Sequence, residues 1–588
     1  MRPTAQLAPL LALSLLAACG DMSDSASFSD VGNWQDVMSD TSPADTTWAD
    51  ASTPDVDTSL PDTTPPPPPP EEEVDFDLRT PEAGTTFLYI PSAALDALIV
   101  VDARSLEVHL VDVGLVPTLV RALPGDEGAV VLNEGSSDVS IVRPTPVGSP
   151  PRLTFEVATH PVLAGSNRLV VSPDGTVAFA FHVASGASFG SLQDVSAIHL
   201  GTPPPGVDPA LPVLNLAVGL RPSEIRFADD GRLALILCED GLSGIRLADL
   251  LGDTFLPPVP TSPDRFRKQT DRELVTTPDG RHAIVRDLDQ TAIALVDLQT
   301  GQLTQLALPD YASDLDLTRD GKTLVVPLRT RQEVARITIP DAFTWVPPAP
   351  PTPPVDPPVD PESEPTDPES EPTDPPTDPS EPAAEEPPAP QNPFIHVSPT
   401  GAPFGSAVLT ADERHALLYT TTPGVASVGR LDLASGGVVI QPLPKELEAV
   451  VPSPDARMAA LLHRRSSGSG DLASRPAYSL LDLASGYSKL VVTPNPVTTV
   501  TFTPDASELF ALLPDPLGAS HQVDRVKTRS FAVTSYPVPD RPVFVGAMPA
   551  LTKVAVALDN PTGWITFIDT QTGATLQLNS FELNGFIE

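Results

Sequence analysis

Cysteine is almost missing from this sequence, in which Cys19 and Cys238 are the only two. So few thiols exclude a small disulfide scaffold, and neither a C-x-x-C-H haem motif nor a zinc-type spacing of cysteine and histidine occurs. Basic residues are also few, 35 Lys and Arg against 77 Asp and Glu. Because phosphate groups are bound by basic patches, this balance argues against nucleic acid or an anionic lipid surface as a partner.

Recognisable catalytic signatures are missing as well. The sequence contains no serine nucleophile elbow, phosphate-binding loop, dinucleotide fingerprint or His-Glu-x-x-His motif. Its nine histidines are scattered, and a lone histidine on a strand is usually structural. We therefore assign no catalytic residue, and these absences favour a protein that is not an enzyme.

Long hydrophobic runs are missing except near the start of the chain, where residues 7–16 form a run of about ten residues. A membrane-spanning helix needs about twenty residues, so the run predicts the core of a signal peptide over residues 1–18. It ends in Leu16-Ala17-Ala18-Cys19, which resembles the lipobox of bacterial lipoproteins. The alternative is an ordinary secretory signal with an incidental cysteine.

The lipobox resemblance implies that the chain is cut before Cys19 and that the Cys19 thiol carries lipid, which would anchor the protein in the cell envelope. Gly20 stands where some enterobacterial lipoproteins have an inner-membrane retention aspartate, so the resemblance favours the outer membrane. A lipidated Cys19 leaves Cys238 without a disulfide partner. We expect Cys238 to be a buried strand residue that packs as a small apolar side chain.

Most of the net charge of −42 lies in two segments of low complexity. Residues 20–82 hold sixteen acids and one Arg, and residues 347–392 hold twelve acids and no base. Both are rich in proline or small polar residues and can bury little apolar surface, so we predict a disordered acidic tether over 19–83 and an extended Pro-rich linker over 347–392. Prolines spread these carboxylates along the chain, which disfavours a compact calcium site within the linker.

One phrase recurs outside these segments: an apolar run, a turn resembling Pro-Asp-Gly, and a second apolar run. Proline presets the first turn angle and glycine accepts a positive φ, so each copy predicts a β-hairpin turn. The clear copies contain Asp174, Asp230, Asp279 and Asp320, the weaker ones Asp412, Asp455 and Asp505, and an earlier one Asp126. Once the 46-residue linker is subtracted, consecutive copies are 41 to 56 residues apart.

A second phrase falls between these turns and reads aspartate, two residues, a hydroxyl residue and glycine. Copies begin at Asp297, Asp432, Asp482 and Asp569, with a fifth, lacking the glycine, at Asp102. The two phrases together predict four short strands in each unit. They resemble YVTN-type and lactonase-like propeller repeats, and this resemblance, over residues 84–346 and 393–588, implies an all-β fold: a β-propeller of four-stranded blades.

The number of blades is harder to predict than the fold. Eight turn phrases, a degenerate ninth near Pro549 and a three-strand fragment over 86–113 exceed the usual four to eight blades. We expect one ring of about seven to nine units, interrupted by the linker, with two smaller propellers as the alternative. The fragment lacks an inner strand of its own, which suggests that strands from both ends of the chain close the ring.

Three successive units place an acid six residues before the turn aspartate, where the innermost strand should begin. These acids are Glu224, Glu273 and Asp314. Propellers commonly bind ligands at the mouth of the central channel, so the three carboxylates are our candidate ligand-binding residues, for a divalent cation such as calcium or for a cationic ligand. The alternative is that they form only a solvated rim, and no metal or other cofactor is assigned.

Two functional hypotheses follow. The first is a lipid-anchored extracytoplasmic propeller that acts as a binding or assembly scaffold in the cell envelope, with an envelope protein or cell-wall component as its partner. The second is a lactonase-like metal-dependent hydrolase that uses the central channel, with an acid as general base.

Overall fold

The computed structural model describes most of the repeat region. The predicted signal peptide, Cys19, and most of the acidic tether and of the Pro-rich linker lie outside the described residues. The predicted end of the tether at residue 83 is wrong, because Glu82 and Ala83 form a strand. The described ranges are 81–126, 128–148, 152–183, 193–201, 207, 212–228, 230–262, 272–340, 392–465, 471–560 and 563–579.

Within these ranges the chain forms ten small sheets, antiparallel except for one strand pair, which we number as blades 1 to 10 in chain order. The strands of blades 1 to 5 are β1 (Glu82–Ala83), β2 (Phe87–Ser92), β3 (Ala97–Asp102) and β4 (Val108–Asp112); β5 (Pro117–Ala122), β6 (Ala129–Asn133), β7 (Asp138–Val147) and β8 (Arg152–Pro161); β9 (Arg168–Val171), β10 (Val177–Phe181), β11 (Asp194–His199) and β12 (Val213–Ala217); β13 (Glu224–Ala228), β14 (Leu233–Cys238) and β15 (Gly241–Arg246), followed by β16 (Thr254–Phe255); and β17 (Arg272–Thr276), β18 (His282–Asp287), β19 (Ala292–Asp297) and β20 (Gln302–Ala307).

Blades 6 to 10 repeat this order. Their strands are β21 (Asp316–Leu317), β22 (Thr323–Leu328), β23 (Glu333–Thr338) and β24 (Ile395–Pro399); β25 (Ser406–Leu409), β26 (His415–Tyr419), β27 (Ser427–Asp432) and β28 (Val438–Pro442); β29 (Leu447–Pro452), β30 (Met458–His463), β31 (Ala477–Asp482) and β32 (Ser488–Val492); β33 (Thr499–Phe502), β34 (Glu508–Leu513), β35 (His521–Lys527) and β36 (Ala532–Val538); and β37 (Pro542–Met548), β38 (Lys553–Leu558), β39 (Trp564–Asp569) and β40 (Thr575–Leu578). Among the described residues, helix is limited to α1 (Asp471–Ser474) and to short 3-10 turns at Pro124–Asp126, Leu247–Asp249, Arg329–Arg331 and Pro549–Leu551.

Packing between blades closes the sheets into a ring. The described residues contain ten hydrophobic clusters, each joining two neighbouring blades, and the tenth joins blade 10 to blade 1. The second strand of a blade is therefore covered on both faces and reads as a continuous apolar run, as in β14, where all six residues are buried. First strands of neighbouring blades contact each other, so they line the central channel. The fold is a β-propeller.

The predicted blade number is wrong, because the described residues form ten blades rather than seven to nine. Each repeat identified in the sequence forms one blade. This includes the two incomplete repeats, the one with the degenerate turn near Pro549 and the 86–113 fragment. The degenerate turn near Pro549 is a short 3-10 turn between the first two strands of blade 10, with Thr552 at φ +51°. The 86–113 fragment gains a two-residue inner strand, β1, and becomes blade 1.

Ring closure also differs from the expectation. Blade 1 takes its inner strand from residues 82–83, and blade 10 takes all four strands from the C-terminal part of the chain, so no strand is exchanged within the described residues. Closure rests on side-chain packing, with Leu88 and Val101 of blade 1 against Met548 and Phe567 of blade 10. The ammonium group of Lys553 adds a hydrogen bond to the carbonyl oxygen of Ala103 at 2.6 Å.

The Pro-rich linker lies within blade 6 rather than between two folding units. Strand β23 precedes it, β24 follows it, and the two pair antiparallel from Glu333↔Pro399 to Ile337↔Ile395. Blades 3 and 4 are the irregular ones: β16 pairs in parallel with β12 as a fifth strand of blade 3, and blade 4 keeps three strands.

The two recurring phrases form the turns predicted from them. In six described turns a Ser or Thr hydroxyl donates to the aspartate two residues later, as Ser172 does to Asp174 at 2.6 Å. In the second phrase the aspartate accepts backbone N–H groups, as Asp297 does from Thr300 at 3.0 Å. Both turns lie at the same end of the antiparallel blades, which we call the turn face. The second-to-third strand loops and the blade-to-blade connections lie at the opposite end, the loop face.

Candidate functional site

Glu224, Glu273 and Asp314 lie where the pattern placed them, at the loop-face end of the inner strands. Glu224 is the first residue of β13, Glu273 the second of β17, and Asp314 comes two residues before β21. They therefore belong to blades 4, 5 and 6, which are consecutive around the channel.

Glu273 and Asp314 bridge neighbouring blades. Glu273 Oε2 accepts from Arg286 Nε at 2.7 Å and from the backbone N–H of Leu315 in blade 6 at 3.0 Å. Asp314 Oδ2 accepts from the backbone N–H of Ala407 in blade 7 at 2.7 Å. The inner edge of each blade carries backbone N–H groups without a strand partner, and these carboxylates satisfy two of them.

Other acids in this region have partners as well. Asp316 Oδ2 accepts from the backbone N–H of Leu409 in blade 7 at 2.5 Å. Glu224 Oε1 is paired with Arg226 Nε at 2.5 Å within blade 4. Among the described residues no three His, Cys, Asp or Glu side chains come together as a group that could hold a metal ion. The contacts of Glu273, Asp314 and Asp316 therefore join blades 5, 6 and 7 at the channel.

Two buried side chains, the Cys238 thiol and the His463 imidazole, could in principle act as a nucleophile or a base, but their surroundings keep them unreactive. Burial is the main cause that raises the pKa of the Cys238 thiol to about 12, so the thiolate is not available at neutral pH. Burial also lowers the pKa of His463 to about 4, and its Nε2 lies 2.7 Å from the hydroxyl of Ser479. That hydroxyl is fully buried, so this pair is placed to fix the third strand of blade 8 rather than to attack a substrate.

An exposed apolar surface on the loop face of blades 1 and 2 was not found from the sequence. Leu95 is 36% exposed, Leu115 52% and Val116 39%. Val116 has a φ of +52° although it is β-branched, a conformation that is an outlier for such residues. It also precedes Pro117, where an extended backbone is normal. We call Leu95, Leu115 and Val116 the apolar patch.

Hydrogen bonds hold this strained backbone in place. The Val116 N–H donates to Asp96 Oδ1 at 2.8 Å, and its carbonyl accepts from the Glu134 N–H at 3.0 Å. The Leu115 N–H donates to the Ser136 hydroxyl at 2.8 Å. A Cβ atom on Gly135 would lie 2.7 Å from a methyl carbon of Val116, so only glycine fits there without a shift. Strain maintained in this way is often found at binding sites.

The sequence contains one signal for this surface. Leu115 and Val116 are two adjacent large apolar residues in the connection between blades 1 and 2. The left-handed backbone is held by contacts with residues about twenty positions away, and it recurs at Arg221 (φ +49°) in the matching segment Val218-Gly219-Leu220-Arg221-Pro222.

Comparisons with known proteins add little to these observations. No protein-family model matches the chain, and no curated protein matches it in sequence. Among solved structures, a eukaryotic initiation factor covers 76% of this chain and 94% of its own at 13% identity, with a TM-score of 0.45. Apo AztD from Citrobacter koseri covers 68% and 92% at 14% identity and a TM-score of 0.36. The dihydro-heme d1 dehydrogenase NirN covers 72% and 77% at 14% identity and a TM-score of 0.39. Likeness at this level carries no argument about function.

Proposed function

We propose that this protein is a lipid-anchored binding scaffold of the cell envelope whose loop face engages a partner protein through the apolar patch. The observation that carries the proposal is Val116, whose apolar side chain is exposed on a backbone that is costly to maintain. A left-handed conformation costs about 1–2 kcal/mol for a residue with a Cβ atom. Arg221, in the same place before Pro222, has a similar φ of +49°, and what distinguishes Val116 is that the exposed side chain held there is apolar.

The charges around the patch indicate what kind of partner fits. Asp112 and Glu134 are exposed beside it, on the blade 1 and blade 2 sides. An apolar patch rimmed by carboxylates is complementary to a segment that has apolar side chains at its centre and Lys or Arg at its ends. We therefore propose an envelope protein with such a segment as the partner.

Substitution of the patch tests this proposal. The variant Leu95→Ser/Leu115→Ser/Val116→Asn removes the apolar surface, and Asn tolerates the left-handed backbone, so the fold should be kept. Leu517, which is 91% exposed in the blade 9 loop, provides a matched control as Leu517→Ser. Wild type and control should capture the same envelope protein, and the patch variant should lose it.

The salt dependence of capture tests the acidic rim separately. Binding to wild type should weaken as salt is raised, because exposed charges are screened. Equal capture by wild type and the patch variant would contradict the proposal, even if a partner were found.

The lipid anchor needs its own test, since it rests on the lipobox resemblance. Full-length protein should partition into the detergent phase of a Triton X-114 extract, and Cys19→Ala should move it to the aqueous phase. A wild-type protein that stays in the aqueous phase would remove the anchor from the proposal. The binding surface would remain to be judged by the capture experiment.

A further inference from the structure

The last hairpin of blade 2 projects beyond its blade on the turn face. Its strands β7 and β8 have ten residues each and pair along their whole length. Strand β6 pairs with β7 only as far as Val142, so residues 143–147 and 152–156 continue past the blade as a two-stranded ribbon. The last strands of the other four-stranded blades have only four to seven residues.

The outer edge of β8 is open to a further strand. The Val162 N–H donates to the carbonyl oxygen of Ser137, directly opposite in the register, at 3.0 Å. Hydrogen-bonded and non-bonded positions alternate in an antiparallel pair, so the even-numbered residues of β8 bond to β7. Leu153, Phe155 and Val157 instead direct their backbone N–H and C=O groups to the outer edge. Among the described residues β8 is the outermost strand of blade 2, so a further strand could pair there.

Prolines close the opposite edge of the ribbon but not this one. The same alternation directs Pro144 and Pro146 of β7 to that opposite edge, and proline has no N–H to donate. Pro161 ends the outer edge of β8 in the same way. Between Leu153 and Thr159 this edge contains neither proline nor lysine, two residues that protect edge strands from pairing. The ribbon is therefore closed to strand addition on one side and open on the other.

The side chains of β8 are complementary to a second copy of the same strand. In a two-fold antiparallel pair, the residues that face the open edge must lie opposite each other. With Thr154 on the two-fold axis, Arg152 lies opposite Glu156 of the second copy, and both side chains are exposed. Leu153 then lies opposite Phe155 of the second copy. Opposite charges and apolar side chains placed in this way stabilise a strand pair.

Charge favours this register over its neighbours. With Glu156 on the axis, two carboxylates would lie opposite each other, which is destabilising. With Phe155 on the axis, Arg152 would lie opposite Ala158, and Glu156 would lie opposite Thr154, so no ion pair would form. Among these three registers, the one centred on Thr154 alone pairs both charges.

We propose that the β8 strands of two copies pair edge to edge about Thr154, so that two blades 2 form one continuous sheet in a two-fold symmetric dimer. Leu153 and Phe155 exchange backbone hydrogen bonds with the same residues of the second copy, and the Arg152–Glu156 pairs fix the register. First strands line the channel, so β8 lies at the outer rim, where a second propeller can approach from the side.

The size and place of this contact set its character. It involves only residues 152–156 of each copy, a small area, so the dimer is reversible rather than obligate. It lies on the turn face and does not rest on the proposed partner binding at the loop face.

Exchange of the two charges tests the register. The full chain with Cys19→Ala, which excludes association through lipid, should show a concentration-dependent equilibrium of monomer and dimer in sedimentation velocity. In that background, Arg152→Glu or Glu156→Arg places like charges opposite each other, so each variant alone should dimerise about tenfold more weakly. A mixture of the two variants should associate again, because every Glu then faces an Arg. The double variant Arg152→Glu/Glu156→Arg should also recover the dimer.

A cysteine on the axis reports the geometry directly. The two Thr154 residues would form a pair without backbone hydrogen bonds, in which the Cα atoms are about 4.5 Å apart and within reach of a disulfide. Thr154→Cys in the Cys19→Ala chain should therefore give a covalent dimer on mild oxidation. Ala158→Cys, exposed on the same face of β8, is the matched control and should give none. Cys238 is buried and does not compete.

A chain that sediments as a monomer at every concentration would overturn the proposal. A dimer that charge exchange leaves unchanged would overturn it as well, and so would equal cross-linking of Thr154→Cys and Ala158→Cys. The circular dichroism spectrum and melting temperature of each variant should match those of the Cys19→Ala chain, because every substituted side chain of β8 is exposed.

Discussion

At the residue scale, the turn between the first and second strands shows how backbone conformation selects an amino acid. Gly175 and Gly321 occupy the fourth position of this turn with φ near +70°. Glu413, Ala456 and Ala506 occupy the same position in the weaker copies with φ between +50° and +57°. The three later copies therefore keep the turn geometry and bear the strain of a Cβ atom.

Ala456→Gly should stabilise the protein by about 0.5–1 kcal/mol, because the relief of left-handed strain exceeds the added chain entropy of glycine. The measurement is the denaturation midpoint in urea. Gly321→Ala is the reverse change and should lower that midpoint, through the same strain and through a Cβ atom that would lie 2.7 Å from Pro278 Cδ. A midpoint that falls for Ala456→Gly would show that strain is not what distinguishes these turns.

The turn aspartates also make stability depend on pH. The Thr318 hydroxyl is the main cause that lowers the pKa of Asp320, and the Thr410 hydroxyl does the same for the pKa of Asp412. Since the folded-state pKa is below the unfolded value of about 3.9, this stabilisation is fully present above pH 4 or so. It is lost as the pH falls through the folded-state pKa.

We expect Asp320→Asn/Asp412→Asn to melt below wild type at pH 7, with a gap that narrows toward pH 3. Melting curves recorded at half-unit intervals of pH would show the trend. A gap of constant size would mean that the carboxylate charge contributes nothing at these turns.

At the element scale, the inner strands of blades 5 to 7 are joined by carboxylates that accept backbone N–H groups of the next blade. Asp314→Asn keeps the shape of the side chain but weakens the bond to Ala407 and places an amide where an acceptor is needed. We expect a lower melting temperature and faster proteolysis between blades 6 and 7. Glu224→Gln is the matched control, because the partner of Glu224 lies in its own blade. It should lower the melting temperature less.

Addition of calcium tests whether these carboxylates only join the blades or bind a divalent cation in the channel. If Glu224, Glu273 and Asp314 serve blade packing, millimolar calcium should leave the melting temperature of wild type and of Glu273→Gln equally unchanged. A rise in wild type that Glu273→Gln abolishes would instead support a channel cation.

The sequence predicted strands and turns well because their signals are local. The turn at Asp174 depends on residues within five positions, and each of them is visible in the pattern. The position of Glu273 was also predictable, but its bond to Leu315 requires the backbone of the next blade. The pairing of β23 with β24 arises from contacts between segments far apart in the chain. Long-range contacts of this kind have no single-residue signature.

At the scale of the whole molecule, we expect that cleavage of the linker does not divide the ring. Strand β24 stays paired with β23 of the same blade, and blades 1 and 10 hold the other junction. With a protease site placed within residues 347–392, we expect the two fragments to elute together from a sizing column after cleavage. Two separate propellers would come apart into two peaks under the same conditions.

The segments that precede residue 81 and follow residue 340 join the ring at blades 1 and 6. At Pro81 the chain enters blade 1 on the loop face, and at Pro340 it leaves blade 6 on the turn face. In a ring of ten, blades 1 and 6 are five steps apart in either direction, so the two points are diametrically opposed. A tension applied between an anchored N-terminus and anything attached to the linker is therefore divided between two arcs of five blade interfaces each. Neither arc then carries the full load.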